Sequence, residues 1–520
     1  GMQALRDLNA GATGNNTAVG HIAGRLMSTG IQNTLIGASA GDALTTGSYN
    51  TALGYGALSA DDLGSQSVAV GYHALVAQNY ATATTSYNTA VGSSAGANIS
   101  TGIRNTLIGG AAGDALTDAD YNTAIGMGAL GVDTLGSKST AVGVDALATQ
   151  NFTTATDSNN TAVGYSAGIA VTTGIQNTFI GSVAGDATTD ADYNVAVGYG
   201  ALTTNVLGSA STAIGRNALS IQNPATANSM NNTAVGYSAG ELVTTGVNNT
   251  FVGYAAGDGT DDGVDNVALG YKALSANCGN GNVAVGAAAA EILTGGYNTC
   301  LGAGAGAKIA AADINICVGG FSGAEITTGT ENVTIGYLAG RHGINLQTGS
   351  RNILLGSYTD TTATDSTGAT AIGYNVSGEG GYTTLGSGTD DIRAAHGTAT
   401  WNTVSDERYK KDIVDSTAGL SFIKALKPRT FKYKNLGELP ETFRAYEADS
   451  TDVFKNSNTN HGFIAQEVKA AIDADSSIKD GFKLWNERAD GSQEVGEAAL
   501  IPILVKAIQE LEARIATLEE

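Results

Sequence analysis

The chain has 520 residues, of which 72 are Gly, 6% are aromatic and only 14% are charged, yet its formal net charge is −22. This balance excludes binding to a phosphate lattice by counterion release, so no nucleic-acid partner is expected; an apolar content of 42% excludes a disordered chain. No run of 18 apolar residues occurs, so no membrane insertion is expected, and the opening GMQALRDLNAGATGNN lacks the basic and apolar regions of a secretion signal.

After a lead-in of residues 1–13, a repeat array is expected over 14–387. Asn-Thr-Ala-Val-Gly recurs at Asn16, Asn88, Asn160 and Asn232, 72 residues apart, and each of the first three 72-residue blocks holds four copies of the theme with steps of 17, 17, 17 and 21. The period-two alternation within each copy predicts a strand, and the Gly-rich stretches between copies predict turns. One such unit cannot bury its apolar face alone, so the units are expected to stack as rungs, with the recurring Asn bonding along the stack. Because Val68, Val195, Val267, Val283 and Val333 stand where other copies have Thr, the face shared by Thr17 and Val19 is expected to be the drier one. The four extra residues around Tyr80, Phe152 and Pro224 are expected to project as loops.

Other features of the array read as packing. Cys278, Cys300 and Cys317 fit neither a disulfide set nor a metal pattern, and are read as small packed side chains. Asp42, Asp114, Asp186 and Asp258 recur every 72 residues, which suits a turn or a stacked ladder better than a calcium loop or a glycosidase pair. No metal, cofactor or glycosidase site is expected. Several of the 20 tyrosines precede or follow the strands; they suit either packing between rungs or binding of sugar or protein.

QSVAVG at Gln66 to Gly71 and ENVTIG at Glu331 to Gly336 resemble the head repeats of trimeric autotransporter adhesins. The resemblance implies a parallel β-roll with three chains side by side, although that family's usual rung is shorter than 17 residues.

Residues 388–404 read as a linker, because composition changes there: the first 400 positions hold 37 charged residues and the last 120 hold another 37. Beyond it come three motifs: Ser405-Asp406-Glu407-Arg408-Tyr409-Lys410-Lys411-Asp412, Leu426-Lys427-Pro428-Arg429-Thr430-Phe431-Lys432-Tyr433, and His461-Gly462-Phe463-Ile464-Ala465-Gln466-Glu467-Val468. In this order they resemble the intramolecular chaperone and self-cleaving domain of the S74 peptidase family, found at the ends of bacteriophage tail fibres and tailspikes. The resemblance implies a nucleophilic Ser405 and a general base Lys410, with cleavage at Val404–Ser405 or else at Ser405–Asp406. A hydroxyl is a weak nucleophile, and a Lys can take its proton only when burial or neighbouring cations disfavour the ammonium. Arg408 and Lys411 are close enough in sequence to supply that repulsion. Read without the resemblance, the same segment is a helix N-cap followed by charges. Asp406, Arg408, His461 and Glu467 are candidate supporting residues, with His461 and Glu467 read more readily as structural.

This chaperone domain is expected over 405–499 and a trimerising helix over 500–520. Ile501, Leu504, Ile508, Leu511, Ile515 and Leu518 form a heptad seam; Ile alternating with Leu favours two strands by itself, whereas the resemblance implies three. The chain as a whole is expected to be mainly β: a trimeric parallel β-solenoid or β-roll of about 17-residue rungs, then a small α+β chaperone domain ending in a coiled-coil helix. The expected function is a phage tail-fibre or tailspike shaft, carried on the virion tail after synthesis in the host cytoplasm. Its C-terminal domain is expected to drive trimerisation and then release itself by Ser–Lys autoproteolysis. Expected partners are two further copies, upstream virion attachment proteins and a host-surface glycan or protein receptor. The alternative is a bacterial trimeric adhesin-like surface protein.

Overall fold

A computed structural model describes residues 1–9, 14–398, 400–403, 405–478 and 482–519. The chain divides into two compact units, Gly1–Val404 and Ser405–Glu520.

The first unit is a β-solenoid of about twenty-two turns. Three-residue strands such as Thr17–Val19, Thr34–Ile36 and Thr51–Leu53 stack parallel and in register, Thr17 opposite Thr34 and Thr34 opposite Thr51. Among the described residues they form one 23-stranded sheet, parallel until its last pairing, where Tyr382–Ser387 meets Asp390–Ala395 antiparallel. The stretch expected to be a linker therefore starts as a hairpin. Gly388 supplies its tip at φ +60°, and the returning strand covers the open edge of the stack. At the usual inter-strand spacing of about 4.8 Å, the solenoid is roughly 100 Å long.

The expectation about the drier face is overturned. Asn33, Leu35, Ala52 and Ala69 are fully buried, whereas Val19, on the other face, is 55% exposed. The interior is filled by Ala from most strands, by aliphatic residues of the turns such as Met27, Leu44, Leu58 and Leu75, and by the Asn side chains. Asn16 Nδ2 donates to the Gly30 carbonyl at 2.8 Å, its Oδ1 accepts the Asn33 N–H at 2.8 Å, and Asn33 repeats the pattern with Gly47 and the Asn50 N–H. Each Asn thus satisfies one buried carbonyl and one buried amide that the narrow turn would otherwise leave unpaired. The ladder falters at Asn266, whose Nδ2 has no partner among the described residues.

At the central strand position a larger residue replaces Ala once per block, as Leu35, Leu107, Phe179 and Phe251, all fully buried. Space for Phe179 comes from Gly185, at φ +58°, where a Cβ would lie 2.6 Å from the ring. The Gly closing each strand is required for a different reason. Gly164, for example, sits at φ +143° with the Gly181 carbonyl 2.4 Å from where a Cβ would be.

The long rungs project less than expected. Tyr80 and Phe152 are 4% and 5% exposed, and the residues that follow add short parallel strands, Thr84–Thr85 on Gly64–Ser65 and Thr156–Asp157 on Gly136–Ser137. Residues 81–83 and 153–155 face solvent, and in the third long rung Pro224 is buried while 225–229 are exposed. All three cysteines are buried; Cys300 stands directly opposite Cys317, and hydrogen bonding to that thiol together with burial pushes the Cys300 pKa up. Asp42, Asp114, Asp186 and Asp258 lie four turns apart, about 19 Å at the same spacing, so they form no stacked ladder. Among the described residues no group of three potential ligands could hold a metal ion.

The second unit is a small α/β fold. Helices α1 (Leu420–Ala425), α2 (Ala465–Ala474) and α3 (Ile501–Glu519) enclose Phe422, Val468, Leu484, Leu500 and Ile503. The Leu420 N–H, one of the unpaired donors at the start of α1, donates to the Glu510 carboxylate of α3 at 2.9 Å. Helix α3 buries Ile503 and Ala507 against this core. Its heptad seam faces away: Ile501 is 61% exposed, Ile508 64% and Ile515 54%.

Candidate functional site

The first residues of the second unit fold back on themselves. Residues Glu407–Tyr409 make one turn of 3-10 helix whose N-cap is Asp406, with its carboxylate accepting the Arg408 N–H at 2.9 Å. The Lys410 N–H closes the turn on the Glu407 carbonyl at 2.9 Å. Asp406, not Ser405, therefore does the capping, and the Ser405 hydroxyl remains available. The turn carries Lys410 back over it: Nζ donates to Ser405 Oγ at 2.7 Å.

Arg408 does not act as a free cation beside Lys410. Its guanidinium forks onto Asp406 at 2.9 and 2.7 Å, and that pairing, helped by the Arg408 N–H and the Lys410 charge, holds the Asp406 carboxyl below the usual carboxylate range. Ser405 and Lys410 are both exposed in the single chain, as is Lys411. Val404, the expected donor of the scissile carbonyl, lies outside the described residues.

The second and third motifs pair with each other. Strand Arg429–Phe431 runs antiparallel to Asn460–Gly462, with Thr430 opposite His461. Arg429 forks onto the Glu467 carboxylate of α2 at 2.9 and 2.6 Å, which holds Glu467 below its ordinary pKa. Together these contacts fasten the start of α2 to the hairpin. His461 is exposed and lines a cavity of about 390 Å³ with Pro428, Arg429, Thr430, Gly462 and Phe463. No hydrogen bond or ion pair among the described residues joins His461 or Glu467 to Ser405 or Lys410. Arg429 is not among the candidate residues named from the sequence; its place in the second motif, with a lone acid in the third, is the signal for this pair.

The arrangement offers a hydroxyl, an amine within proton-transfer distance and an adjacent backbone, which are the parts of an intramolecular acyl transfer. Residues 405–475 match the peptidase S74 family, described as the chaperone of endosialidase. No curated protein and no solved structure matches the chain. A domain of this family following a β-solenoid marks a fibre- or tailspike-like protein with a C-terminal chaperone, and the family implies autoproteolytic self-cleavage.

Proposed function

We propose that the chain is the shaft of a homotrimeric bacteriophage tail fibre or tailspike whose C-terminal domain gathers three copies, sets their register, and is then released by Ser405 and Lys410. The observation that carries this reading is the 2.7 Å contact between Lys410 Nζ and Ser405 Oγ, at the first residue of the C-terminal unit. In the reaction an uncharged Nζ takes the hydroxyl proton, and Oγ attacks the carbonyl carbon of Val404. The new C–O bond replaces the C–N bond to Ser405, whose nitrogen leaves with the proton from Nζ. Water then hydrolyses the ester, giving a carboxylate at residue 404 and restoring the hydroxyl. Burial of the pair by a neighbouring chain would favour the uncharged amine, which ties the reaction to assembly.

Two exposed apolar surfaces support a homotrimer. One is the heptad seam of α3. The other is the outward column of the solenoid, in which Val19, Leu53, Ile108, Ile180, Ile214 and Leu269 are between 38% and 55% exposed. An apolar stripe this long is rare on a monomer and marks an interface. Register is the difficult step, because successive rungs look alike and a slip of one is nearly neutral locally. Three α3 helices meeting first would fix it. Release then removes the means of return, so the product is kinetically stable, as suits a virion tail that meets a host receptor outside the cell.

Ser405→Ala and Lys410→Ala chains are each expected to stay at full length in denaturing mass spectrometry. Lys410→Arg, which keeps a cation but no usable base, behaves the same way. A Ser405→Ala chain that is still cut would remove the assignment.

A further inference from the structure

One surface of the solenoid is used by none of this. The residue after each strand-closing Gly forms a column along the stack, and in five successive turns it reads Tyr199, Arg216, Tyr237, Tyr254, Tyr271. The strands beside them pair in register from Val195–Val197 through Val267–Leu269. The Tyr237 and Tyr254 rings stack at 5.3 Å and 7°, and Tyr254 and Tyr271 at 5.4 Å and 14°. The Arg216 guanidinium lies between two rings, 5.6 Å from the centroid of Tyr199 and 5.5 Å from that of Tyr237, and Nη1 donates to the Tyr237 hydroxyl at 2.9 Å. Lys272 adds an ammonium 5.8 Å from the Tyr271 ring. The four tyrosines are between 44% and 55% exposed.

The column also carries two cations. The first 400 residues hold 27 acidic and 10 basic side chains, yet among the described residues neither Arg216 nor Lys272 forms an ion pair. A guanidinium held between two rings and hydrogen-bonded to one of them has already lost part of its freedom, so binding there costs less further ordering. One of its five N–H donors is used on Tyr237, and the rest of the fork suits a carboxylate. Because the rings cover one another, the column presents hydroxyls and edges at rung spacing. A row of like groups in one dimension fits a ligand that repeats in one dimension, each unit adding to the next.

We propose that the Tyr199–Tyr271 column is a binding site for a linear, carboxylate-bearing polysaccharide, with Arg216 taking a carboxylate and the tyrosine hydroxyls taking its neighbours. This rests on the reading of the chain as a receptor-binding fibre and names the receptor's chemical class and where it binds. The test uses the full chain with long oligogalacturonate as probe and uncharged dextran as control, titrated by calorimetry. Fragment masses and assembly mass are read on the same samples, so failure of the site and failure of the self-cleaving trimer are separately visible. The intact protein binds oligogalacturonate and not dextran. Arg216→Ala weakens binding about tenfold or more, the cost of one charged hydrogen-bonding partner, while Arg216→Lys loses part of it. Lys308→Ala, which removes an exposed cation outside the column, changes nothing. No binding of oligogalacturonate, equal binding by Arg216→Ala, or binding of dextran as strong as that of the acidic probe would overturn the proposal. A changed assembly mass in Arg216→Ala would overturn it too, since the column would then be a contact between copies.

Discussion

Asp61 is a buried carboxyl with a neutral counterpart two blocks away. It accepts from Gln78 Nε2 at 2.7 Å and from the Gly64 N–H at 2.9 Å, but burial outweighs both and pushes its pKa up to about 6 from 3.8. The equivalent position 144 residues later is Asn205, which bonds the corresponding Gly208 through both N–H and carbonyl. With the folded pKa above the unfolded one, the stability Asp61 contributes is fully present below about pH 3.8 and is lost as pH rises through about 6. Asp61→Asn is therefore expected to stabilise the solenoid at pH 8 by up to about 3 kcal/mol and to change nothing at pH 3.5. Denaturation midpoints at the two pH values check this; an equal effect at both would show that the proton is not involved. At this scale sequence reasoning went furthest where spacing is short. Lys410 is the fifth residue after Ser405, and one tight turn suffices to join them. The Arg429–Glu467 pair spans 38 residues and two elements, beyond what local spacing can reveal.

The solenoid's repeating element was legible because period and turn chemistry agree in every copy, but its polarity was not. Alternation alone says only that two faces differ. Val in place of Thr marks the Thr17 face as apolar, but the Asn on the opposite face must reach a carbonyl and an N–H inside the turn, which makes that face the interior and leaves the Val face outside. The outward aliphatic residues then report a surface that needs covering. The Asn ladder carries a definite energetic expectation. Asn105 holds the Ala119 carbonyl at 2.8 Å and the Asn122 N–H at 2.9 Å. Asn105→Ala would leave both buried and unpaired, at a cost of about 2–5 kcal/mol. Unfolding of the Asn105→Ala, Ser405→Ala double variant against Ser405→Ala alone measures this, and a loss below about 0.5 kcal/mol would mean the ladder is ornamental. For α3, Ile508→Asp places a charge on the exposed seam without touching the buried Ile503 and Ala507. For the proposed trimer it is expected to reduce the mass from three chains to one in light scattering, with helicity kept; an unchanged mass would place the contact between chains elsewhere.

For the whole molecule, the division at Val404 and Ser405 coincides with the start of the S74 match and with the jump in charge density. A Gly-rich solenoid loses much backbone entropy on ordering and recovers it only through many like contacts, so it needs a separate device to begin folding in register. A compact C-terminal domain with its own core and an unpartnered helical seam has the means to be that device. Denaturing and native mass spectra of one fresh preparation test this most directly. The account predicts two denatured fragments, residues 1–404 and 405–520, and a native species containing three copies of the longer one. A monomer that remains a single 520-residue chain, with Ser405 and Lys410 intact, would contradict it.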